Sequence, residues 1–401
     1  MRALFVSAPL PGHLDWGGYL QTAVAWQRAG HTALWASGAA VAAQVAAAGV
    51  PFAPLAETGW RWPPPSPLPP PAAAAERAIW QTQRAERALD QWLDEARVAA
   101  AVDELTALVE QFCPDLIVSE MFVAAAGLVA ERCGAAFAVA GWPAVAPGHA
   151  GAADALAAAA RARLERLLAR WKLAGRNWNA DGPPALRSPS LHLTYWCPTW
   201  YRGMALLPQT LHAGGSAGTP LPPPPDLPDP DGQPWVLVTL GTSFDNDPAF
   251  FVAAANAADQ LGCLPLLVGE RIARTASQLD LPRAAAVRSH VDFRRILPYA
   301  AAAIHHGGAG TTHALACHGV PQIVTPHAAD QIHQARGVER SGAGLHLPPR
   351  TVTAARLASA LAALLPDLSE QRHNARKLQS EMAAQGGPRA AAAWLSDILN
   401  S

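Results

Sequence analysis

Two kinds of segment alternate along the chain. Short, nearly unbroken apolar runs at 3–7, 32–35, 116–119, 136–140 and 191–196 predict strands buried on both faces of a parallel sheet. Between them, apolar residues recur at helical spacing over 19–29 (closed by Gly30), 72–112 (one or two helices), 122–132 and 150–173. Strand, glycine-containing loop, helix, strand is the opening of a βαβ unit. The order starts again at Trp235-Val236-Leu237-Val238-Thr239-Leu240-Gly241 and continues through an apolar run at 297–304 and a short strand within 319–326. The predicted class is therefore α/β, as two doubly wound parallel-sheet domains, and 401 residues suit that number.

Prolines mark the seams. The stretch 214–233 is dense in proline and reads as a semi-rigid spacer between a domain at 1–213 and one at 234–384. A final helix is predicted at 389–399, after Gly386-Gly387-Pro388. A second proline run, at 60–71, excludes helix and interior strand and predicts an exposed loop with Trp60 and Trp62 at its base.

Composition narrows the function. Half of the residues are apolar and the formal net charge is −1, which gives no footing for nucleic acid or an anionic membrane surface. No apolar stretch suits stable membrane insertion, and the opening apolar run breaks at Pro9, Pro11 and Asp15, as a first strand does and a signal segment does not. Five cysteines without a CxxC pair point to a reducing cytoplasm.

The stretch with the most chemistry is Ile304-His305-His306-Gly307-Gly308-Ala309-Gly310-Thr311-Thr312, placed between the apolar run and a short helix expected at 314–317. Glycines let a backbone approach a ligand closely, and the N–H groups of a helix start favour an anion. It is a phosphate cradle or a plain glycine-rich turn. Thr311 stands where a P-loop needs lysine, and His313 where the dinucleotide fingerprint needs its third glycine. His13, in a loop directly after the first strand, sits where an imidazole can take a proton from a substrate hydroxyl. Asp245-Asn246-Asp247 has the look of a metal-binding DxD, but Asn and Asp are common there for local turn reasons.

The block HHGGAGTT, GVPQIVTP and Asp330-Gln331, with the flanking sequence from Leu240 to Gly344, resembles the donor-binding signature of nucleotide-sugar glycosyltransferases. The type is the two-Rossmann-domain (GT-B) one, family 1. Bacterial enzymes acting on antibiotics, sterols and other small apolar molecules are most similar. The resemblance implies two Rossmann-like domains facing an interdomain cleft and a final helix that returns to the N-terminal domain. It also implies an inverting, metal-independent transfer of a hexose from a UDP- or dTDP-sugar to a hydroxyl of a small apolar acceptor. No cofactor beyond that co-substrate is expected, and the protein is expected to be a monomer or homodimer.

Residue by residue, the resemblance makes His13 the general base and places Glu120 where the family has an aspartate that orients it. Asp15 is a rival partner. Glu120→Gln is expected to cost less than losing His13, because shape and a hydrogen-bond acceptor remain. His306, Gly308, Ala309, Gly310, Thr311, Thr242 and Ser243 would hold the diphosphate, Val291 would lie against the base, and Asp330 and Gln331 would grip the sugar. Ala314 stands where the family often has a glutamate for the ribose hydroxyls, which leaves a thymidine-type donor open. Trp16, Trp60, Trp62, Trp80 and Trp142 are the candidate acceptor-binding residues, with Trp196 and Trp200 also near the loops of the first half. Two other readings share the fold plan: a nucleotide-sugar 2-epimerase and a catalytically inactive nucleotide-sugar-binding partner protein.

Overall fold

The computed structural model describes residues 1–14, 17–63, 65–66, 68–69, 71, 73–146, 155–179, 185–241, 246–327 and 331–400. The chain forms two compact units: Met1–Tyr195 with Met204–Ala213 and Pro388–Ser401, and Trp196–Gly203 with Gly214–Gly387.

The first unit holds seven parallel strands: β1 (Arg2–Val6), β2 (Thr32–Ser37), β3 (Phe52–Pro54), β4 (Leu116–Glu120), β5 (Ala136–Ala140), β6 (Leu191–Thr194) and β7 (Thr210–His212). Their order is β3-β2-β1-β4-β5-β6-β7. Alternation along β1 sends Leu4 and Val6 to one face, under the helices Glu95–Phe112 and Ala124–Cys133. Ala3 and Phe5 go to the other face, under the helix Tyr19–Arg28. The helix Gly387–Asn400 buries Ala391, Ala392 and Leu395 on that second face, and its Ser396 hydroxyl lies 3.0 Å from His31 Nε2. The stretch 72–112 contains two main helices, Arg77–Leu89 and Glu95–Phe112. Asp94 separates them, because its carboxylate caps the second by accepting from the N–H groups of Ala96 and Arg97. Strands β3 and β7 have three residues each, too few to show a period in the sequence.

The second unit carries β8 (Trp235–Thr239), β9 (Leu264–Val268), β10 (Ala286–Arg288), β11 (Ala300–His305), β12 (Gln322–Val324) and β13 (Gly344–His346), all parallel, in the order β10-β9-β8-β11-β12-β13. Residues 214–233 group with this unit, and backbone carbonyls of the run, two of them proline's, accept from its side chains. Trp235 Nε1 donates to Pro228 O and Arg295 to Pro222 O, while the Tyr299 hydroxyl donates to Leu221 O. Trp196 and Trp200 also belong to this unit, stacked at 3.6 Å, with Trp200 lying against the bare backbone of Gly337. Among the described residues no helix is long and apolar enough to cross a membrane.

Candidate active site

In an open parallel sheet, ligands collect beyond the carboxyl ends of the strands, where the strand order reverses. In the first unit that point lies between β1 and β4. The chain leaves β1 through Ser7, whose hydroxyl accepts from Trp35 Nε1 and whose carbonyl accepts from the Ser37 hydroxyl. It then turns through Ala8 and Leu10 into the one-turn helix Pro11–Leu14, which carries His13. Glu120, the last residue of β4, is fully buried. Its Oε2 lies 2.7 Å from His13 Nδ1, and its Oε1 accepts from the Ala8 N–H at 2.5 Å. A carboxylate against Nδ1 makes that nitrogen the protonated one and Nε2 the basic one. Glu120 thus reaches the imidazole despite its longer arm. The rival Asp15 lies outside the described residues.

Around this pair, Trp60 and Phe122 close a ring cluster. Their centroids lie 5.4 and 5.7 Å from the His13 ring and 5.2 Å from each other. Phe122 was not among the sequence candidates; its signal was its place two residues beyond Glu120. The other tryptophans are used differently. Trp62 is exposed. Trp80 donates from Nε1 to Pro69 O at 2.6 Å and carries the Arg84 guanidinium over its ring, so it pins the proline run. Trp142 offers its carbonyl to the ring of His192. Burial lowers the pKa of His192 to about 4, and its Nε2 accepts from the Ser188 N–H. Trp16 lies outside the described residues.

The reversal in the second sheet lies between β8 and β11. Thr239, Val268, Arg288, His305, Val324 and His346 are in register across the six strands and form its carboxyl edge. The loop after β11 is shorter than expected. The helix starts at Ala309 and runs to His318, not over 314–317, because Gly308 takes the N-cap with extended backbone. Ala309, Gly310 and Thr311 are therefore its first turn, whose N–H groups have no partner within the helix. No side chain caps them, since Thr312 turns its hydroxyl back to Gly308 O.

Three glycines leave room for neighbouring side chains. A Cβ on Gly241 would come within 2.7 Å of the His306 ring, and one on Gly308 within 2.6 Å. The imidazole of His306 therefore lies against both bare backbones. At Gly307 (φ +89) a Cβ would meet Val324 at 2.8 Å. Gly310 alone of the four has open space. Burial, followed by the neighbouring His327, lowers the His306 pKa to about 4, so it is a neutral group at pH 7 and not a charge for the diphosphate. His305 is fully buried and lowered further, to about 3. Its Nδ1 accepts from the Gly307 N–H and its Nε2 donates to Gln322 Oε1, which fixes the turn.

Gln331 is buried, and its Oε1 accepts from the His327 N–H. Val291 follows β10 on the same sheet edge, partly buried against the core. Ala314 is partly buried, and its carbonyl accepts from the ring of His318. Asp247 caps the helix Pro248–Asp259 through the Phe250 N–H, the local role that the sequence allowed for it. Thr242, Ser243, Asp245 and Asp330 lie outside the described residues.

The family described as erythromycin biosynthesis protein CIII-like, C-terminal domain, matches residues 271–398. The L-demethylnoviosyl transferase of Streptomyces niveus is 29% identical over 99% of this chain and 98% of its own length. CalG4, the calicheamicin glycosyltransferase, has a TM-score of 0.76 at 20% identity, with 100% of this chain and 98% of that one covered. Spinosyn rhamnosyltransferase SpnG complexed with thymidine diphosphate has a TM-score of 0.70 at 21% identity, with both chains covered to 100%. With its two doubly wound sheets and these relatives, the chain is a glycosyltransferase of the GT-B type, similar to the bacterial enzymes that glycosylate natural products.

Proposed function

We propose that the chain transfers a hexose from a nucleoside-diphosphate sugar to a hydroxyl of a small apolar acceptor, with inversion at the anomeric carbon. The observation that carries this reading is the His13–Glu120 contact at the reversal point of the first sheet. The acceptor hydroxyl gives its proton to His13 Nε2 as its oxygen bonds to the anomeric carbon, and the bond from that carbon to the diphosphate oxygen breaks. The Glu120 carboxylate stabilises the imidazolium that forms. The N–H groups of Ala309, Gly310 and Thr311, with their helix dipole, meet the charge on the leaving diphosphate. A single displacement of this kind inverts the configuration. Neutral His306 contributes shape and hydrogen bonding to the diphosphate loop.

A thymidine-type donor is favoured, because Ala314 offers nothing to a ribose 2′-hydroxyl and SpnG has been seen with thymidine diphosphate. Trp60 and Phe122 supply apolar faces for the acceptor. Metal independence is consistent with Asp247 being engaged in its helix cap.

The test is turnover of dTDP- and UDP-sugars against a panel of hydroxylated polycyclic acceptors, with the anomeric configuration of the product read by proton NMR. Inverted product and acceptor-dependent release of nucleotide are expected. Retained configuration overturns the displacement, and nucleotide released at full rate without acceptor points instead to an epimerase.

A further inference from the structure

Beneath the His13–Glu120 pair lies a buried hydroxyl that the reaction as described does not use. Tyr19, the first residue of the helix Tyr19–Arg28, is completely buried, with its ring tilted against Trp35 at 4.7 Å and Phe5 at 6.0 Å. Its oxygen accepts from the Val6 N–H at 3.2 Å. Its one proton has two carbonyls within reach, Val118 O at 2.8 Å and Val6 O at 3.0 Å. Val6 ends β1, and Val118 lies on β4, the strand across the reversal point.

The spacing gives these contacts their meaning. Val6 precedes by two residues Ala8, whose N–H is held by Glu120 Oε1. Val118 precedes Glu120 itself by two residues. The Tyr19 hydroxyl and the Glu120 carboxylate therefore bridge the same two chain segments at successive rungs. We infer that Tyr19 is a positioning residue for the base: its hydroxyl ties the carboxyl ends of β1 and β4 and sets the span across which Glu120 reaches both Ala8 and His13. Burial, followed by the charge of Glu120, raises the Tyr19 pKa well above its ordinary value, so the phenol stays a neutral donor and acceptor.

A neighbour provides the control. Thr22, also fully buried, uses its hydroxyl on Gly18 O and on the Tyr195 hydroxyl, away from β1 and β4. Tyr19→Phe keeps the ring and removes the bridge, whereas Thr22→Val removes buried hydrogen bonds elsewhere in the same unit. The inference rests on His13 as the base, so His13→Ala is measured beside them.

Tyr19→Phe is expected to lower kcat about tenfold, as a displacement of well under 1 Å at a proton-transfer site can. Its acceptor KM should stay within about twofold. Thr22→Val is expected to lower Tm with kcat unchanged. In a Glu120→Gln background the Tyr19→Phe cost should vanish, because the tyrosine acts through the carboxylate. Tyr19→Phe with a lowered Tm but full kcat, or an equal kcat loss in both backgrounds, overturns the inference. If His13→Ala is the variant with full kcat, the assignment of the base has failed and Tyr19 loses its role with it. Should Tyr19→Phe not fold, 3,5-difluorotyrosine at position 19 keeps the ring and weakens the hydroxyl as an acceptor. A several-fold fall in kcat at unchanged acceptor KM then supports the inference, and an unchanged kcat overturns it.

Discussion

Replacing Glu120 by glutamine tests the geometry of the base most sharply, and the structure argues for a larger loss than retained shape alone suggests. Both carboxylate oxygens face nitrogens: Oε1 accepts from the Ala8 N–H, and Oε2 lies 2.7 Å from His13 Nδ1. Glutamine has one carbonyl oxygen and one NH₂ group. Whichever way the amide turns, the NH₂ meets a donor, and the site is fully buried, so water cannot relieve the clash. If the NH₂ faces Ala8, a backbone N–H is orphaned at a cost of about 1–3 kcal/mol. If it faces His13, the imidazole turns to the other tautomer, its proton moves to Nε2, and it is no longer a base. Either outcome also removes the charge that stabilises the imidazolium.

His13→Ala is expected to lower kcat by about two to four orders of magnitude, the usual worth of general-base catalysis. Glu120→Gln should fall within about tenfold of it, a loss of about 1.4–4 kcal/mol in transition-state stabilisation. Glu120→Asp keeps two acceptors but is one methylene short, and should lie between wild type and glutamine. The assay is steady-state release of nucleoside diphosphate with a neutral hydroxyl acceptor, with donor KM followed in parallel. Donor KM is expected to stay within about twofold, since neither residue belongs to the unit that holds the phosphate loop. Glu120→Gln at more than about a tenth of wild-type kcat would refute the reasoning.

Gly308→Ala has an acceptable backbone (φ −60) but drives a methyl into His306, so it should weaken dTDP binding about tenfold by calorimetry. Gly310→Ala, with nothing within 4 Å, should leave Tm equal or slightly raised, and a lowered Tm would contradict the open space. Acid should destabilise the protein through His192, His305 and His306, whose folded pKa values of about 4, 3 and 4 lie below the ordinary 6.5. As pH falls from 6.5 toward 4, the unfolded chain takes up protons that these sites refuse. Stability should then drop by about 1.4 kcal/mol per pH unit for each histidine, read from urea midpoints, and a flat profile would count against their neutrality. Activity should survive EDTA; loss restored by Mg²⁺ or Mn²⁺ would return Asp245 and Asp247 to consideration as ligands.

Much of the architecture was legible in one dimension, because a strand buried on both faces must be apolar throughout and a helix must show its period. The runs around Phe5, Ile117 and Val238 became β1, β4 and β8, and the helix at Tyr19 began at that residue. The glycine-rich signature marked the loop proposed for the phosphates, and a histidine after the first strand marked the residue proposed as base. Hidden from the sequence was everything set by the partners that a fold brings close. Gly308 was read as room for a ligand, and a Cβ there would meet the His306 ring; Gly241, which no such reading covered, packs on the same ring from 65 residues away. The bond by which Gln331 Oε1 holds the His327 loop is not visible in the sequence either. Neither the neutrality of His305 and His306 nor the cluster of Trp60 and Phe122 around His13 follows from residue type. The sequence by itself determined which segments must be buried and the order in which strands and helices follow, since both follow from local pattern. Only the tertiary structure decided which polar atoms meet, because hydrogen bonding and desolvation act over a few ångströms between groups such as Ala8 and Glu120 that lie 112 residues apart.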